Sequence, residues 1–202
     1  MAYKFDTTVL EALCRDVLDQ PLDSGARFAA LTRKLADAYP DLIQDAPQRW
    51  MMTKAGGVLG KISFLYMGPT EYLLIFGAPA ATDGFTGRYR HVELYKFVLA
   101  GRYVTYDLES DQIAPAVYGP GDVTCLPKGE ARGLEIQSGS WHLEYGRGLT
   151  MTAMPFAMMD TLVASLALKP VLQTTGEYLK FTGRGVRRHP RALTARRERA
   201  GR

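Results

Sequence analysis

Between about Trp50 and Gly148 the chain is cut into runs too short to make ordinary helices. Glycine, proline and aspartate punctuate it at AGGVLG, MGPTE, GAPAATDGFTG, YGPGD, LPKGEARG and QSGS. The runs between them are KISFLYM, EYLLIFG, VELYKFVLAGRYVTYDL, VTCLP, LEIQ and WHLEYGRG. They are rich in the branched and aromatic residues that suit a pleated surface, so each reads as a short strand. Many short strands joined by sharp corners, such as PGD at 120–122 and LPKGEA at 126–131, predict a sandwich or small barrel of jelly-roll type.

Helices flank this region. Val9, Leu10, Leu13, Val17 and Leu18 form one apolar stripe; Thr8 and Glu11 have capping-box spacing, and Pro21 ends the segment. A second helix starts near Ser24, puts Phe28, Leu31, Leu35 and Tyr39 on one face and stops before Pro40. Beyond Gly148, residues 149–182 carry only Asp160, Lys169, Glu177 and Lys180 as charges, and Pro170 divides them into two helices. Pro155, Asp160, Ser165 and several threonines dilute this stretch below a membrane span. Residues 149–183 are expected to pack on the barrel and touch a membrane surface peripherally.

Residues 1–183 therefore read as one domain and 184–202 as a disordered tail. The tail holds eight arginines and one glutamate, net +7, so the first 183 residues carry −3 against a total of +4. Basicity confined to a solvated end predicts no nucleic-acid partner. The N-terminus, MAYKFDTTVLEALCRDVL, shows neither a signal-peptide core nor a span, which predicts a cytoplasmic protein. Cys14 and Cys125 lie far apart in apolar segments and read as separate reduced thiols.

Catalogue motifs are mostly missing. AGGVLG lacks the Lys-Ser/Thr of a phosphate loop, and His91, His142 and His189 make no ligand set, so no cofactor and no metal is expected. What stands out is acid inside apolar strands: Glu71, Glu93 and Glu144. In WHLEYGRG, His142 and Glu144 are two positions apart and share a face, roughly 7 Å apart along the strand. A carboxylate there faces either water or an enclosed space, where desolvation makes it a chemical tool.

The segments AGGVLG, TEYLLIFGAPAATDGFTGRY, YGPGD, KGEA and WHLEYGRGLTMTAMPFAMMDT resemble, in order and spacing, the family of fungal sterol Δ8–Δ7 isomerases and the animal sigma-1 receptor. The resemblance runs from about Leu22 to Gly185. It implies a mainly β, cupin-like barrel closed by two C-terminal helices lying against a membrane, an apolar ligand cavity and, as in the receptor, a homotrimer. In the enzymes, it implies, cavity acids protonate a sterol alkene and a neighbouring proton is removed from the carbocation; amines bind as mimics of that cation.

Matching blocks carry the family's essential glutamate onto Glu144. Tyr72, Leu74 and Phe76 would line the wall, Met154 and Ala157 would present the first C-terminal helix to the ligand, and Glu71 would take a structural role on the opposite face. Three departures stand beside this. The family's N-terminal membrane span is expected to be absent, Phe85 replaces a histidine before the GRY block, and the family's second cavity acid falls on Lys96. A shift of one residue would instead turn Tyr95 inward, with Glu93 beside it. With Lys96 inward, Glu144 becomes a poor acid and a good anion or base, and proton donation passes to His142. The expected function is a metal-independent enzyme moving protons on an alkene in a sterol or isoprenoid, by isomerisation or protonation-started cyclisation. The alternative is a non-catalytic binder of cationic amphiphiles or lipids.

Overall fold

The computed structural model describes residues 3–109, 114–153, 159–163 and 172–176, with positions 168 and 179. Two helices lead, α1 (Thr7–Leu18) and α2 (Ser24–Ala38). The cap of α1 is Asp6, whose Oδ1 accepts from the backbone N–H groups of Thr8 at 2.8 Å and Val9 at 3.4 Å, in place of the expected Thr8–Glu11 box. A carboxylate there satisfies orphan donors and faces the positive end of the helix dipole. Asp23 caps α2 in the same way, through Ala26 N at 2.8 Å.

The strands that follow are β1 (Met51–Ala55), β2 (Val58–Met67), β3 (Glu71–Ala78), β4 (Thr82–Phe85), β5 (Val92–Ala100), β6 (Tyr103–Asp107), β7 (Ala116–Tyr118), β8 (Val123–Leu126), β9 (Arg132–Ile136) and β10 (Ser140–Gly148). They form two antiparallel sheets, ordered β1-β2-β3-β10-β5-β8 and β4-β9-β6-β7. The architecture is cupin-like and mainly β, as the sequence predicts, with two facing sheets in place of one closed ring. A shared cluster of Val58, Ala78 and Val98 with Tyr103, Leu134 and Ile136 joins them. TDGF, read as a turn, is strand β4 because β9 pairs with it from Thr82↔Ile136 to Phe85↔Gly133.

The six-stranded sheet has two different faces. On the outer one, Leu10, Val17, Phe28, Leu31 and Leu35 of the helices cover Leu73, Ile75, Phe97, Leu99, Leu143 and Tyr145. Each such aliphatic side chain, fully buried, contributes roughly 1.5–3 kcal/mol. That cover stabilises the sheet from behind and leaves its inner face free to border a cavity.

Residues 159–163 and 172–176 are helical. Thr161 ties the first piece to β1, accepting from Lys54 N at 3.0 Å and donating to Lys54 O at 2.8 Å. Among the described residues no helix is long and apolar enough to cross a membrane. Met154, Ala157 and the tail 184–202 lie outside the described residues.

Candidate functional site

β10 lies between β3 and β5, so the WHLEYGRG run has a hydrogen-bonded neighbour on each side. Glu144 stands opposite Leu74 on β3 and Lys96 on β5; His142 stands opposite Phe76 and Val98. Directly opposed residues share a face of the sheet. Tyr72, Leu74, Phe76, Lys96, His142 and Glu144 thus all border one cavity.

The same register corrects the expectation for Tyr95. Period-two alternation turns it outward with Glu93, where it accepts from Arg147 Nη2 at 2.7 Å while Arg147 Nε donates to Glu93 at 2.6 Å. Tyr95 does not reach the cavity; it belongs to a half-buried ion-pair cluster. Glu71 is structural, as the alternation suggests: its Oε1 accepts from Lys4 N at 2.8 Å, Phe5 N at 3.2 Å and the Tyr145 hydroxyl at 2.8 Å.

The cavity offers about 140 Å³ to the centres of water-sized molecules. Phe64, Leu94, Leu134 and Ile136 add to its apolar wall, and Thr161 and Thr174 bring the C-terminal helical segments to its edge. Among the described residues no three His, Cys, Asp or Glu side chains gather as a metal site, so the donor set here is one imidazole and one carboxylate.

Inside that wall runs a hydrogen-bonded chain. The Tyr72 hydroxyl donates to Glu144 Oε1 at 2.8 Å, His142 Nε2 lies 3.3 Å from Glu144 Oε2, and His142 Nδ1 lies 2.8 Å from the Tyr103 hydroxyl. Burial alone would raise the Glu144 carboxyl, but the His142 hydrogen bond, the Lys96 charge and the Tyr72 hydroxyl outweigh it and hold the group below its ordinary 4.5. Burial lowers His142 below its ordinary 6.5, so the imidazole is neutral near pH 7. One tautomer satisfies every partner: Nε2–H donates to the carboxylate and Nδ1 accepts from Tyr103. Phe76 stacks on the imidazole with ring centroids 5.1 Å apart and fixes its plane.

Lys96 completes the site. Among the described residues, no acceptor hydrogen-bonds its ammonium and no carboxylate lies within 4.0 Å of it. Burial lowers its pKa from the ordinary 10.5; Glu144 opposes that shift and Arg132 adds to it. The resulting site is an apolar chamber with a fixed anion on one strand and a loosely held cation on the next.

Sequence reasoning missed Tyr103 and Tyr89. Tyr103 reaches His142 from the other sheet, which no strand pattern reveals. Tyr89 lines the cavity and burial raises its hydroxyl, helped by Glu144. Its signal was available in the GRY block at 87–89, which marked a resemblance but was given no role.

A family model described as ERG2 and Sigma1 receptor like protein matches residues 1–186. The chain belongs to that family. Similar members include the sigma non-opioid intracellular receptor 1 of Gallus gallus, 29% identical over 179 residues, 88% of this chain and 78% of the receptor. The C-8 sterol isomerase ERG2 of Gibberella zeae is 29% identical over 183 residues, 90% of this chain and 74% of the isomerase. Among solved structures, a predicted oxalate decarboxylase from Thermotoga maritima aligns with a TM-score of 0.40 and 14% identity, covering 54% of this chain and 99% of that one. The family thus holds proteins named as sterol isomerases and proteins named as receptors.

Proposed function

We propose that the cavity is the active site of an isomerase that relocates a proton, and with it a double bond, in an apolar sterol-like or isoprenoid substrate. The observation that carries this reading is the Glu144 carboxylate, held as an anion by Tyr72 and His142 inside an apolar wall and opposite Lys96. His142, expected as the donor, is neutral and gives its Nε2–H to Glu144, so it positions the carboxylate; the proton donor is Lys96.

The alkene's π pair takes a proton from the Lys96 ammonium, and positive charge passes from nitrogen to carbon. The chamber's charge balance is kept, with Glu144 facing the new cation. Preorganised groups aimed at developing charge in a low-dielectric site usually supply the largest share of such catalysis. The faces of Tyr72 and Phe76 add cation–π attraction. Glu144 then removes a neighbouring proton, and the C–H pair becomes the shifted double bond. Capture of the cation by a second double bond would close a ring by the same logic.

Incubation in D2O with Δ8-sterols and with linear or partly cyclised isoprenoids tests this. The expected result is deuterium at carbon in the product, lost in Glu144→Gln. No turnover of any substrate, or full activity in that variant, overturns it. Exposed Met159, Val163, Leu168, Leu172 and Leu179 support delivery from a membrane surface through residues 149–183; cosedimentation with liposomes checks this.

One observation favours a second reading. Lys96 offsets Glu144, which suits a protein that binds an amphiphile without altering it. On that reading the ligand raises Tm and is recovered unchanged.

A further inference from the structure

The substrate class follows from the two charges in the chamber and from the chemistry of a buried amine. Lys96 and, beyond it, Arg132 oppose a cationic guest; Glu144 opposes an anionic one. An apolar wall with one charge of each sign therefore selects a neutral molecule bearing one polar group. An ordinary ammonium is also a weaker acid than an ordinary carboxylic acid by about six powers of ten. Among double bonds, one conjugated to, or one carbon removed from, a carbonyl is the kind that so weak a donor serves best.

The geometry adds a third constraint. Lys96 has no hydrogen-bond acceptor among the described residues, borders the cavity and stands directly across from Glu144. A desolvated lysine that gives up its proton readily is the usual nucleophile toward carbonyl carbon. Resting on the isomerase reading above, we infer that Lys96 forms an imine with an aldehyde or ketone on the apolar substrate, and that Glu144 moves the proton on the resulting adduct.

The steps balance without oxidant or reductant. Lys96 passes one ammonium proton to the carbonyl oxygen and its freed lone pair forms the N–C bond, giving a carbinolamine protonated on nitrogen. A second proton moves from nitrogen to that oxygen, and water leaves as nitrogen's electrons form the protonated C=N bond. That iminium withdraws electrons from the adjacent carbon, Glu144 takes the C–H proton there, and the pair left behind forms a dienamine. Return of the proton at the far carbon shifts the double bond. One water then releases the carbonyl product and restores Lys96.

Citral and androst-5-ene-3,17-dione are suitable probes, incubated with the full chain and reduced with sodium cyanoborohydride. The expected result is one adduct, heavier by the probe less one oxygen atom, that fragments to Lys96. It is absent from Lys96→Met and from Lys96→Arg, which keeps the charge but not the nucleophile. Far-UV circular dichroism and Tm establish that both variants fold. Label spread over other lysines, or persisting in either variant, overturns the proposal. No adduct with intact deuterium incorporation into simple alkenes overturns the imine and spares the isomerase; loss of both overturns both.

Discussion

Glu71 and Glu144 stand on neighbouring strands of one sheet, and each takes a tyrosine hydroxyl at 2.8 Å. The exchange is reciprocal. Tyr72, next to Glu71 in sequence, serves Glu144; Tyr145, next to Glu144, serves Glu71. Each Glu-Tyr pair puts one residue on each face, and antiparallel pairing brings each carboxylate to the other pair's hydroxyl. The likeness ends there. Glu71 is 1% exposed and its remaining partners are backbone N–H groups that cannot move away. Glu144 has one further partner, a neutral imidazole, and its side chain is 16% exposed. Two carboxylates of one chemical kind are thus divided between holding the chain together and doing chemistry, by what stands around them.

Exchanging charge for amide separates the two most sharply. Glu144→Gln should cost about 10²–10³-fold in turnover, the scale lost when a preorganised electrostatic group is removed. Its Tm should stay near wild type, because a tautomer flip of His142 re-pairs the amide. A Tm collapse in that variant would erase the division. Glu71→Ala should do the reverse, costing about 3–5 kcal/mol by stranding Lys4 N and Phe5 N and leaving the Tyr145 hydroxyl only the Phe5 carbonyl at 3.3 Å. Turnover per folded molecule should hold below the lowered Tm, read by calorimetry beside an activity assay.

The pH dependence sharpens the contrast further. His142 is depressed in the folded state, so its contribution is present above the ordinary value of 6.5 and is lost as pH falls toward the folded value. Glu144 is depressed as well, and its share disappears lower, below 4.5. Tm measured from about pH 7 to about pH 5 should therefore fall in wild type and flatten in His142→Gln. The smallest effect on stability belongs to Lys96→Met. Removing a buried cation without a close partner should raise Tm by about 2–4 °C. The same variant should respond to a cationic amphiphile with a larger Tm increase than wild type; an equal response would mean that Lys96 does not oppose amines.

Much of this was legible because period-two alternation survives folding. Tyr72, Leu74 and Phe76, like His142 and Glu144, are assigned to one face by spacing, and they are found there. The inward turn of Lys96 was not decidable from spacing, because register is set by the partner strand: Glu144↔Lys96 is a pairing between residues 48 apart in the chain. TDGF defeated local reasoning for a related reason. Its glycine and aspartate favour a turn, and only β9 makes a strand of it. The Asp6 cap lay outside the stripe from which α1 was recognised, and Tyr103 needed a second sheet folded over the first.

Gly146 sits opposite Tyr72, and a methyl group added there would come within 2.2 Å of the tyrosine ring. The hydroxyl that steadies Glu144 keeps its place because a neighbour has nothing to put in the way. A drift to alanine at this spot would dislodge the ring and silence the chamber while leaving every ionisable residue intact. The loss would be invisible to any inventory of charged or reactive side chains.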